Sequence, residues 1–192
     1  MAQSETQKER VRQTDWWDVR RLALAADGHA LAAGVRNRVL LFDADSPTQL
    51  KEMGKPGGDM VTHLAFSPDS GLLASANWDG RVRLWNLDHP HEKIQPLKAH
   101  SGQAWAVAFS PDGRTLATGG DDATIKLWNL ASLQQTATLR GHTGPVNRLV
   151  FSRDGALLAS CSGDGTARLW RAPTFQEIER AEKASQTQKL DP

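Results

Sequence analysis

Between Trp105 and Arg140 short apolar runs alternate with polar turns. "WAVAF" (Trp105 to Phe109) sets large side chains against small ones, the period-two pattern of a strand packed between neighbours. In "SPDG" (Ser110 to Gly113), proline fixes φ and glycine permits a positive φ, which is the chemistry of a hairpin turn. "TLATG" resumes as a second strand, "GDD" turns the chain again, and "TIKLWNL" is a third run rich in β-formers. After a loop, "QQTATLR" (Gln134 to Arg140) supplies a fourth. The pattern predicts four short antiparallel strands in about 42 residues.

The pattern recurs. "HLAFSPDSGLLASANWDGRVRLWNL" from His63, "AVAFSPDGRTLATGGDDATIKLWNL" from Ala106 and "RLVFSRDGALLASCSGDGTARLWRA" from Arg148 align without gaps. Phe66, Phe109 and Phe151 coincide, as do Trp85, Trp128 and Trp170. A fainter copy, "RLALAADGHALAAGVRNRVLLFDA" from Arg21, puts Leu24 at the Phe position and Phe42 near the Trp position, one residue short. A four-stranded unit at this period is a β-propeller blade. The expected fold is therefore all-β, with four blades of four-stranded antiparallel sheet at about 16–53, 60–98, 103–140 and 145–171.

These residues resemble the WD-repeat (WD40) propeller family. The carriers are "SPDG", the "GH" of Gly141-His142, and an Asp followed six residues later by Trp. "WN" or "WR" stands where the family often has Trp-Asp. The resemblance is strong from His63 to Arg171 and faint from Val19 to Phe42.

Polar residues repeat too. His100, Thr118, Asp122 and Trp128 have the same mutual spacings as His142, Ser160, Asp164 and Trp170. His, a hydroxyl and Asp are also the members of a nucleophilic triad. Duplication argues against an active site, which needs one exposed nucleophile rather than two regular copies. The resemblance implies a buried hydrogen-bonded chain through each blade, Trp to hydroxyl to His to Asp. Unit two keeps Ser75, Asp79 and Trp85 but has Gly57 at the His position, and unit one has Ala32, Arg36 and Phe42. Unit one is expected to be less rigid, or to be held by its neighbours.

The resemblance also implies a binding face bearing the entrance loops. Its exposed positions are commonly the fifth residue after the His and the residue before the network Asp. The first class is Trp105 and Asn147, with Thr62 and Arg20 aligned to them, and the second is Trp78, Asp121 and Gly163. Trp78 and Trp105 are of the type enriched at interface hot spots.

Composition narrows the function further. The chain has 192 residues, 39% of them hydrophobic, enough for one globular core. A net charge of +1 gives no nucleic-acid footprint, and the arginines at 10, 12, 20 and 21 are interrupted by Glu9, Asp15 and Asp18. The N-terminus lacks the apolar core of a signal peptide, and no run reaches the roughly 18 apolar residues of a membrane span. With one cysteine, Cys161, no intrachain disulfide can form. The expected location is the cytoplasm. Cys161, between two serines of a second strand, is expected to be a small core residue. "DHPHEK" (Asp88 to Lys93) matches no strong metal template, and the Gly-rich stretches lack the Lys of a phosphate loop. No cofactor or metal is expected.

After Trp170, "RAPTFQEIERAEK" has a capping-box pattern at Thr174 and Glu177 and predicts a short helix within 172–192, with a frayed end. Four blades are half of an eight-blade ring or part of a longer propeller. Residues 8–14 align with the fourth strand and entry loop of the later units, a candidate closing strand. The expected function is a protein–protein interaction scaffold without chemistry of its own, and a homodimer closing an eight-blade ring is the candidate assembly. The alternative is a sensor or targeting module of a kinase- or protease-linked assembly.

Overall fold

A computed structural model of the chain describes residues 19–43, 50–53, 59–89 and 94–171. All regular structure among them is strand. The expected helix within 172–192 and the closing strand at 8–14 lie outside the described residues. The first sheet contains β1 (Val19–Leu24), β2 (Ala30–Val35), β3 (Arg38–Asp43) and β4 (Leu50–Met53). The second contains β5 (Val61–Phe66), β6 (Leu72–Asn77), β7 (Arg81–Asn86) and β8 (Leu97–Lys98). The third contains β9 (Ala104–Phe109), β10 (Thr115–Gly120), β11 (Ile125–Asn129) and β12 (Gln134–Leu139), and the last β13 (Val146–Phe151), β14 (Leu157–Ser162) and β15 (Ala167–Arg171). Within each sheet, neighbours in sequence pair antiparallel, the up-and-down order of a propeller blade.

The turns work as their sequence dictates. In "SPDG" the Ser110 hydroxyl donates to Asp112 at 2.5 Å and accepts from Thr115 N–H at 2.9 Å, while Gly113 takes φ 69°. The side chains thus close the loop that the first two strands require.

Blades stack through alternate residues of their strands. Ala106, Ala117 and Ile125 of the third blade meet Val146, Leu149 and Leu158 of the fourth. Ala74, Ala76, Val82 and Leu84 meet Ala104, Val107, Leu116 and Trp128 at the preceding junction. Ala32 and Val39 meet Val61, Leu64 and Leu73 at the first. Each blade thus offers a face of mostly small or β-branched side chains to larger ones on the next. Gly119 shows how close the approach is: a Cβ there would sit 2.6 Å from Val146.

At the two ends of the series no further blade covers these faces among the described residues. Leu22 and Leu24 on the first blade are 63% and 65% exposed, and Val150 and Leu169 on the fourth are 62% and 72% exposed. Their counterparts inside the stack are buried or half-buried, including Leu64 and Phe66 on one side and Ala108 and Leu127 on the other. The same geometry corrects the expectation for Cys161. It holds the position of Gly119, on the face that a next blade would cover, and is exposed rather than core.

Register corrects unit one as well. Leu22 pairs Ala33 as Leu64 pairs Ser75, and Leu31 pairs Phe42 as Leu73 pairs Trp85. The hydroxyl position of unit one is therefore Ala33, not Ala32, and the missing residue lies in the turn between β2 and β3. Ala32 faces the second blade instead. Where the second blade carries Ser75, Asn77 and Arg83, the first has Ala33, Val35 and Leu40, a buried apolar cluster with Val19 and Phe42 packed on it.

Candidate functional site

Two kinds of polar arrangement stand on this frame, one repeated and one not. The repeated one joins four residues across each of the last two blades. In the third blade Trp128 Nε1 donates to Thr118 Oγ1 at 3.1 Å, which lies 3.0 Å from His100 Nε2, and His100 Nδ1 lies 2.9 Å from Asp122. The fourth repeats it with Trp170, Ser160, His142 and Asp164 at 2.9, 2.8 and 2.9 Å. A neutral imidazole protonated on Nδ1 satisfies every contact: the carboxylate accepts from the ring and the hydroxyl donates to Nε2. Burial pushes the His100 pKa down, against the pull of Asp122, and so favours that neutral form.

Both carboxylates are further tied down. Asp122 accepts from Thr124 N–H and hydroxyl at 3.2 and 2.7 Å. Burial raises its pKa, yet the bonds from Thr124 and His100 hold it below the ordinary carboxylate value. Asp164 accepts from the Thr166 hydroxyl at 2.7 Å and from Thr143 N–H at 3.0 Å, and these lower its pKa strongly. Thr118 is 0% exposed, so no substrate reaches its hydroxyl. Gly120 lets the imidazole lie flat on the strand, since a Cβ there would be 2.3 Å from the ring.

The second blade solves the loss of its histidine differently. Ser75 still accepts from Trp85 Nε1, at 3.4 Å, and now also from the Asn77 amide at 3.2 Å. Asp79 takes the Arg83 guanidinium in a fork at 2.7 and 3.2 Å and accepts Arg81 N–H at 3.1 Å. The sequence reading missed Arg83; an Asp with Arg four residues on, in the unit that lacks the His, was the available signal. Gly57 lies outside the described residues.

The unrepeated arrangement lies at the loops where blades two and three meet. A β-bulge interrupts every innermost strand, and the unpaired residue is Arg20, Thr62, Trp105 or Asn147 in turn. Bulges re-aim a side chain out of the sheet's alternation. Just past the end of the neighbouring strand, Trp78, Asp121 and Gly163 each donate a backbone N–H to the carbonyl of the residue just before the first strand, at 2.9, 2.9 and 2.8 Å. The backbone is anchored while the side chain projects.

The outcomes differ by position. Trp78 is 44% exposed, Trp105 is half-buried, and Asp121 and Asn147 are exposed. Thr62 is corrected: it is 3% exposed, because its hydroxyl is short enough to turn inward and donate to the Ala104 carbonyl of the next blade. Arg20 lies in β1, and its side chain is outside the described ones.

Trp78, Trp105 and Asp121 come together. The two indoles have centroids 6.0 Å apart at 52°, and Trp105 Nε1 donates to Asp121 Oδ1 at 2.8 Å. With its amide turned so that nitrogen meets an acceptor and oxygen a donor, Gln103 bridges the rest: its nitrogen then donates to the other Asp121 oxygen and its oxygen accepts from Trp78 Nε1. Gln103 was not foreseen. Among the described residues, packing of two indoles recurs at neither other junction, where Arg36 and Thr62 stand at the first and Asp121 and Asn147 at the last.

The model of the WD domain, G-beta repeat family matches residues 48–86, 91–129 and 133–171, more than half of the chain. Each match begins at the fourth strand of one sheet and ends with the third strand of the next, so every matched repeat straddles two blades. No curated protein matches the chain.

Proposed function

This chain belongs to the WD domain, G-beta repeat family, and on that premise we propose that it is a protein–protein interaction scaffold whose His–hydroxyl–Asp quartets hold the blades together. The observation that carries the reading is the exposed Trp78 ring packed on Trp105 beside Asp121, at one blade junction alone. Repetition fits a structural role, and a cluster that breaks the repetition fits a site. Large aromatics with one open side are the residues that dominate interface energies. The partner surface comprises Trp78, Trp105, Asp121 and Asn147; Thr62 is not part of it. The quartets carry no chemistry, because the hydroxyls are sealed inside the stack and already donate to histidine. Affinity capture with wild type and with Trp78→Ala/Trp105→Ala tests the surface. The variant, folded, should lose a partner that wild type retains, and equal capture would refute the assignment.

A finer part of the proposal concerns closure. The bare face of the fourth blade (Val150, Cys161, Leu169) is the periodic equivalent of the face blade three shows to blade four. The bare face of the first (Leu22, Leu24) is the equivalent of the face that receives it. Two copies can therefore meet end to end twice, with twofold symmetry, as one eight-blade ring in the cytoplasm.

A further inference from the structure

We infer that the Trp78–Trp105–Asp121 cluster recognises an arginine side chain of the partner; this rests on the reading of that surface as the partner face and names its chemistry. Three features point the same way. First, among the described residues Asp121 has no ion pair, whereas Asp79 is paired with Arg81 and Arg83. Its negative charge is held at the surface by uncharged donors alone, the Trp105 indole and the Gln103 amide. Each oxygen spends one lone pair on those bonds and keeps one, which is the acceptor set that a guanidinium fork takes.

Second, both indoles turn their N–H edges into the same polar cluster, Trp105 onto Asp121 and Trp78 onto Gln103. The edges are satisfied, so what Trp78 leaves for a partner is apolar ring surface carrying the negative quadrupole. A cation placed there meets a π face and a carboxylate together. Third, the charge is desolvated little before binding and the donors are already in place, so the rings and the carboxylate need little reordering.

Between the two basic side chains the geometry favours arginine. Its planar guanidinium stacks on an indole while donating two parallel N–H bonds to one carboxylate, whereas the lysine ammonium is a compact, strongly hydrated point charge.

The test uses the whole chain, labelled with nitrogen-15, and the peptide Ac-Gly-Gly-Arg-Gly-Gly-NH2 beside versions with lysine or the neutral isostere citrulline. The indole N–H signals of Trp78 and Trp105 are followed in titration. The expected result is a saturable shift of both with the arginine peptide, binding about threefold or more weaker with lysine, and no saturation with citrulline. Asp121→Asn, an exposed change that keeps the side chain's size but only one of its two acceptors, should weaken arginine binding by about tenfold. Equal response to citrulline, or no shift of either signal at about 10 mM arginine peptide, would overturn the inference. Should the tryptophan variants lose partner capture while the peptides give no response, the surface stands and its proposed chemistry falls.

Discussion

The Trp105 indole donates to Asp121 at 2.8 Å, one residue away from Asp122, whose carboxylate lies 2.9 Å from the His100 ring. Adjacent carboxylates thus serve different ends. Asp122 points into the blade and recurs as Asp164; Asp121 points out and has Gly163 at the matching place, with no side chain at all. Alternation along one strand end separates what holds the blade from what the blade presents.

Removal of the inward carboxylate should cost stability. Asp122→Ala strips His100 Nδ1, Thr124 and Ser101 N–H of their acceptor, and Asp164→Ala does the same in the last blade. Each is expected to destabilise the fold by about 1–3 kcal/mol in urea melts. Melts that coincide with wild type would contradict a structural role.

The second blade offers a matching expectation. Asp79→Ala leaves the Arg83 guanidinium, only 20% exposed, without its fork. A loss of about 1–2 kcal/mol is expected by urea denaturation, and Arg83→Lys, with Asp79 kept, should lose part of that amount, because one ammonium cannot reproduce two parallel bonds.

Acid should weaken the fold in two stages. His63 is half-buried, with its Nδ1 buried and unpartnered; burial first, then the charges of Arg148 and Arg21, push its pKa down to about 4, opposed by a backbone contact at Val107. A depressed histidine stabilises the fold fully above its unfolded value of 6.5, and that contribution disappears as pH falls toward the folded value. His63→Gln should therefore show up to about 3 kcal/mol less loss than wild type between pH 6.5 and 4. His100, lowered too, acts in the same direction below 6.5. Below about pH 4 the lowered carboxylates Asp122 and Asp164 lose their contribution as well. Equal pH profiles for wild type and His63→Gln, in urea melts across this range, would contradict the assignment.

If two copies close a ring, light scattering should give twice 21.0 kDa. Leu22→Glu or Leu169→Glu, each placing charge on a bare blade face, should return the chain to monomer. A concentration-independent wild-type monomer would contradict the ring.

Much of the fold was legible in the sequence because each blade solves the same packing problem, so Phe, Trp and turn residues recur at one period. The WD-repeat assignment follows from that recurrence and agrees with the family match. Three features were not legible. The shorter turn of unit one could be placed anywhere in an alignment, and only strand pairing assigns Ala33 rather than Ala32 to the hydroxyl position. Thr62 aligns with Trp105, yet the same bulge directs a short hydroxyl inward and leaves an indole half-buried at the blade junction. Cys161 reads as core by its neighbours, but its burial depends on a blade that does not follow among the described residues.

The most direct test compares Asp122→Ala with Trp78→Ala in the same samples, scoring partner capture per folded molecule beside the urea midpoint. Trp78→Ala should keep its stability within about 1 kcal/mol and lose capture, while Asp122→Ala loses stability and its folded fraction still captures. A Trp78→Ala protein that unfolds far earlier than wild type, or that captures as well as wild type, would contradict the division between repeated scaffold and unrepeated site.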